Sequence, residues 1–179
     1  ANARHYPAIS WIDSYSEYAI ELEEWWGGVN RLWNDSRKAA LELLKKEQRL
    51  AEIVRLIGPD ALPDEQKLIM VVADIIKNGF LQQNSFDEVD MYCAPPKQVA
   101  LLCLIMEFYT KAAVCLKQGA ALPEVMAHNV KENISRLKSK ITNDDLPQLE
   151  QFGIQTQKEL DAILRRYASR KTSAASSIA

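Results

Sequence analysis

The sequence holds only two histidines, three cysteines and six glycines, and each scarcity removes a class of chemistry. His5 and His128 lie far apart and neither has a companion at metal-ligand spacing, so both are expected at the surface or at a helix cap. Cys93, Cys103 and Cys115 form an odd set without CxxC spacing, which points to a reduced, cytosolic compartment. A nucleophilic thiolate needs a partly exposed electropositive setting, whereas Cys103 and Cys115 fall in an apolar helical stretch. The glycines are single apart from Gly27-Gly28. No GxxxxGK[ST], GxGxxG or HExxH occurs, so the chain builds no phosphate cradle and no zinc helix of its own.

Charge of one sign is also missing. The formal net charge is -2, with acids and bases mixed along the chain, which leaves no footprint for nucleic acid or anionic lipid. The longest unbroken apolar run, Val99 to Met106, is far shorter than the roughly 20 residues of a membrane span, and no charged-then-apolar leader opens the chain, so no direct membrane insertion is expected.

What is present is helical patterning. With 179 residues and 47% hydrophobic content the chain is long enough for one sizeable core. Apolar residues recur at i, i+3 and i+4 spacing from end to end, with no strand-like alternation, so the expected fold is all-α, a bundle of about five to six helices. Residues 1–15 read as an irregular lead-in, 16–168 as the bundle and 169–179 as a disordered tail. A first short helix is expected from about Ser16 to Trp26, stopping at Gly27-Gly28. A second, from about Asp35 to Ile57, carries Ala40, Leu43, Leu50, Val54 and Ile57 on one stripe and ends at Gly58-Pro59. A third opens at Pro63-Asp64-Glu65 and buries Leu68, Val71, Val72, Ile75, Ile76 and Phe80. Together these two make a projecting helix-turn-helix. The remaining helices run from Pro95-Pro96 to about Gln118, from Pro123 to Lys140 and from Pro147 to Ala168, the first half of the first of them being apolar nearly all round.

Three features carry two readings each. Trp25, Trp26 and Trp33 either mark a partner surface or pack the first helix onto the bundle. Asp60, Asp64 and Glu65 either bind a divalent cation or simply complement a helix start. The stretch FLQQNSFDEVDMYC, from Phe80 to Cys93, leaves helical periodicity altogether. In its structural reading Phe80 closes a buried stripe, the amides satisfy frayed carbonyls and Phe86 packs under the loop.

Taken in order, ARHYPAISWIDSYSEY, LAEIVRLIGPDALPDEQKL and FLQQNSFDEVDMYC followed by Lys97-Gln98 closely resemble the C-terminal helical domain of the catalytic A subunit of V-type and archaeal-type rotary ATPases. The motifs cover about Arg4 to Gln98; beyond them the likeness rests on helical character. The resemblance implies a P-loop-bearing nucleotide-binding domain before Ala1, alternation with B subunits in a hexamer, and ATP or ADP with magnesium held in the intact complex. It also implies a cytoplasmic location, peripheral at a membrane, and coupling to proton or sodium transport. By the same resemblance the Phe80 to Cys93 segment completes an adenine pocket, with Phe86 as the stacking ring and Phe80 and Gln83 as second choices. The turn Asp60, Ala61, Leu62, Pro63, Asp64 and Glu65 would press on the central shaft. Without a phosphate loop this stretch alone is expected neither to hydrolyse nucleotide nor to hold it tightly. The competing reading is an independent helical adaptor whose groove binds a partner helix.

Overall fold

A computed structural model of the chain describes residues 10–14 and 16–176, with side chains to residue 169. His5 and most of the expected lead-in therefore lie outside the described residues. Seven α-helices follow one another, with no strand among the described residues: α1 (Glu21–Val29), α2 (Trp33–Ile57), α3 (Asp64–Asp74), α4 (Pro95–Lys117), α5 (Leu122–Val125), α6 (Val130–Lys140) and α7 (Leu146–Ser176).

The centre is α4. Every residue from Leu101 to Met106 is buried, and Phe108, Ala112 and Cys115 extend the contact to the far end. At about 100° per residue, six consecutive buried positions cover the whole circumference, so this helix has no solvent face over that stretch and the others pack round it. Its length and composition would allow a membrane crossing once Glu107 and Lys111 are tolerated, but its apolar side chains are spent on the bundle core.

The boundaries differ from expectation in four places. The first helix begins at Glu21, after a 3-10 turn at Glu17–Ala19, and runs through Gly27-Gly28 to Val29. Packing outweighs the roughly 1 kcal/mol cost of each helical glycine, because Trp26 stacks on Trp33 with ring centroids 4.2 Å apart and Val29 reaches the core. The expected fifth helix is broken into α5, a 3-10 turn at Ala127–Asn129 and α6. His128 (φ 60°) and Asn129 (φ 54°) are both left-handed there, a conformation asparagine tolerates better than most residues. Ile57, placed on the inward stripe, is exposed instead, because α2 outruns the body it packs on. Finally, α7 continues through residues 169–176, which composition assigned to a disordered tail; a formed helix propagates at little cost where no glycine or proline intervenes.

After Asp74 the third helix widens into a π-helical stretch, Ile75–Leu81, closed by Gln82 N–H donating to the Lys77 carbonyl at 2.9 Å. This stretch lies directly against α6. A Cβ on Gly79 would sit 2.7 Å from the Ser135 Cα, so only glycine permits the approach. By contrast Gly28 has open space around its missing Cβ. Gly79→Ala is therefore expected to cost about 1–3 kcal/mol in urea unfolding through overpacking, while Gly28→Ala is neutral or stabilising by up to about 1 kcal/mol.

Candidate functional site

The segment after Leu81 is a loop whose backbone is organised by its own side chains. Asn84 Oδ1 accepts the Phe86 N–H at 3.0 Å, and Asp87 Oδ1 accepts the N–H groups of Val89 and Asp90, each at 2.9 Å. These are Asx-type turns, and they fix the chain on both sides of Phe86. The Phe86 ring itself is 97% exposed, so it does not pack under the loop as the structural reading had it. Phe80 is half-buried. It lines a cavity of about 290 Å³ with Trp11, Ile12, Trp33 and Leu102, part of the same core that the third helix serves. Gln83 is exposed, with its Nε2 donating to the Asp90 carbonyl at 2.8 Å. The three residues named for the adenine pocket are thus a presented ring, a packed ring and an amide used to shape the loop.

Beneath the loop is a buried polar cluster that periodicity had not singled out. Lys138 of α6 sends its ammonium to the carbonyls of Phe80 (3.1 Å) and Gln82, and pairs with Asp90 Oδ1 at 3.1 Å. The carbonyls at this helix end are satisfied by a lysine, not by the neighbouring amides. Both partners of the pair are over 90% buried, and Asp90 Oδ2 accepts the Asn84 N–H at 2.7 Å. Lys97, with no exposed surface, donates to the Lys138 carbonyl at 2.8 Å. That carbonyl is in the last turn of α6, where no intrahelical donor follows and a cation is favoured by the dipole. Burial pushes the Lys97 ammonium below its usual range, against the raising influence of Cys93 and Asp90. Burial likewise pushes the Cys93 thiol up, which suits a packed cysteine and not a nucleophile. Asn143 completes the set by accepting the Ala94 N–H (2.9 Å) and donating to the Tyr92 carbonyl (3.1 Å).

A signal for this cluster exists in the sequence. Lys138 falls four residues after Ile134 on the inward stripe of α6, and Lys97 falls four before Leu101 on α4. A lysine on an apolar stripe is an anomaly that asks for a buried partner.

The turn between α2 and α3 divides into occupied and open residues. Asp60, Ala61, Pro63 and Glu65 are exposed, but Leu62 is folded in at 5% exposure and cannot offer the apolar contact its type suggests. Asp64 Oδ2 accepts the Leu122 N–H at 2.9 Å, tying the start of α3 to α5. Among the described residues no three His, Cys, Asp or Glu side chains converge as metal ligands. The apolar surface of the tip comes from the last turn of α2: Ile53, Ile57 and above all Leu56, 86% exposed. Their i, i+3, i+4 spacing forms a second, exposed apolar stripe beside the buried one.

Comparison with known proteins places these features in a family. Residues 22–126 match the model for the C-terminal domain of V and A type ATP synthase. The A subunit of the A-type ATP synthase of Thermococcus onnurineus is 38% identical over 173 residues, covering 94% of this chain and 28% of that protein. Its counterpart in Pyrococcus abyssi is 38% identical over 170 residues, covering 94% of this chain and 16% of that protein. The counterpart in Thermococcus kodakarensis is 38% identical over 170 residues, with 94% and 28% covered. The chain thus spans at most about a third of the length of these relatives, and the likeness extends well beyond Gln98.

Because the Phe86 ring touches solvent and the Asp90 carboxylate does not, their removal should separate cleanly. Phe86→Ala is expected to change unfolding free energy by less than about 0.5 kcal/mol, while Asp90→Ala, which strands the Lys138 ammonium, costs about 3–5 kcal/mol. Chemical denaturation of the two variants checks this.

Proposed function

The chain belongs to the family of C-terminal domains of V and A type ATP synthases, and from that premise we propose that it serves a catalytic A subunit in two ways. Phe86 presents an aromatic face to the adenine of ATP or ADP, and the α2–α3 tip passes nucleotide-driven motion to the central shaft. The observation that carries the first role is a large apolar ring, 97% exposed, on a loop whose backbone is pinned on both sides of it. An exposed phenylalanine gains nothing from folding; a pinned one is preorganised for a flat partner. Gln83 would shape the loop near the edge of the base, and Phe80 would back it from the core.

The described residues fit the base and not the phosphates. A P-loop elsewhere in the parent polypeptide would hold the phosphates and their magnesium, and the neighbouring B subunit would close the interface. This arrangement makes the parent an ATPase or ATP synthase of the cytoplasmic head, coupled to proton or sodium movement through other subunits. Stacking is worth about 1–3 kcal/mol per base, which alone corresponds to dissociation constants weaker than about 1 mM.

For the second role, two long packed helices act as a lever, and the open apolar residues of α2 provide its contact. Asp64 is occupied within the fold and Leu62 is buried, so among the acidic-turn residues Asp60, Ala61, Pro63 and Glu65 remain for the rim.

In the assembled ATPase, Phe86→Ala is expected to raise KM for ATP about tenfold with kcat within about twofold, and Phe86→Tyr to restore it. An unchanged KM removes Phe86 from the pocket. ATP titrated into the 179-residue chain should give no saturable signal below about 1 mM; submillimolar binding would put the site elsewhere. For the tip, Leu56→Glu with Ile57→Glu should lower ions pumped per ATP hydrolysed far more than Asp60→Asn, Asp64→Asn and Glu65→Gln combined. The reverse ranking would replace the apolar contact with an ionic one.

A further inference from the structure

We propose that Lys138 and Asn143, both beyond the stretch 22–126 that the family model matches, are positioning residues for the loop that carries Phe86. The inference rests on the proposed adenine role of Phe86 for its functional part, and on the geometry alone for its mechanical part.

The loop enters from the π-helical end at Leu81 and leaves into α4 at Pro95. At its entry, the Lys138 ammonium holds the Phe80 and Gln82 carbonyls. In its middle, the same ammonium pairs with Asp90, whose other oxygen holds the Asn84 N–H two residues before Phe86. At its exit, Asn143 bridges the Tyr92 carbonyl and the Ala94 N–H. Lys97 closes the arrangement by tying the Lys138 carbonyl to the first turn of α4. Three attachment points on one loop come from a segment of only six residues, Lys138 to Asn143, at the end of α6 and just after it. The loop has few apolar anchors of its own: Phe86, Met91 and Tyr92 are all largely exposed. The Asx-type turns set its local bends, while α6 and the turn that follows fix how the loop sits on the body, so the direction in which the Phe86 ring points depends also on residues about 50 positions away in the chain. Asp90 Oδ1 makes no aligned hydrogen bond, so its compensation comes from the charge of Lys138.

The test uses amide hydrogen exchange on the 179-residue chain and kinetics on the assembled ATPase. Lys138→Met and Asn143→Ala should each speed exchange of amides in residues 82–94 at least about tenfold, while core amides of α4 keep their order of protection. Asn143→Ala strands no buried charge, so it carries the test if Lys138→Met does not fold; Lys138→Met with Asp90→Asn does the same for the lysine. In the assembled enzyme Asn143→Ala should raise KM for ATP several-fold at constant kcat, and the effect should vanish when combined with Phe86→Ala. Unchanged loop exchange overturns the proposal. Faster exchange with KM unchanged, in an enzyme where Phe86→Ala does raise KM, overturns the positioning role. Faster exchange in an enzyme where Phe86→Ala leaves KM unchanged supports the clamp and sinks the adenine reading of Phe86 instead.

Discussion

The constraint on which the architecture depends is that α4 has no polar face over Leu101 to Met106. A helix apolar all round cannot lie on a surface in water, so α2, α3, α6 and α7 must enclose it. This explains why the chain is a bundle with one central rod rather than a row of hairpins. It also explains the local rules that are broken elsewhere. Two glycines are carried inside α1 because Trp26 and Val29 gain burial, and α3 widens into a π-helical turn where Gly79 lets it meet α6.

A core of that kind specifies packing but not the shape of a loop at its edge. Polar chemistry supplies the shape. Lys97 and Lys138 reach the ends of two helical stretches, α6 and the π-helical turn, each giving its ammonium to carbonyls that lack intrahelical donors, and Asp90 balances part of the charge. Replacing such a cluster by apolar residues can preserve stability in general, but no apolar side chain could order the backbone carbonyls of Phe80 and Gln82. Ion pairs farther out, such as Lys77 with Glu47 and Arg166 with Glu124, brace neighbouring helices and leave the loop untouched.

The helices and the central place of α4 were legible in the sequence because they follow from periodicity, which is a local property. The break at His128 and Asn129 was not, since neither residue is a glycine or proline and the flanking apolar spacing continues across it. Phe86 and the turn at Asp60 to Glu65 stand out as candidates through their motifs, yet the motifs do not say that Phe86 is open, Leu62 closed or Asp64 engaged with Leu122. Those outcomes depend on residues far away in the chain, which spacing within one element does not encode. Lys138 falls on the inward stripe of α6, but nothing local names its partners, which lie 48 to 58 positions earlier on the Phe80 to Asp90 segment and meet it only in three dimensions.

The two arms of the α2–α3 hairpin are supported unequally. The start of α3 is lashed to α5 through Asp64, whereas the final turn of α2 overhangs with Ile53, Leu56 and Ile57 uncovered. The two arms therefore join the rest of the domain by different routes, α3 through a direct hydrogen bond to α5 and the end of α2 through its packing along α3.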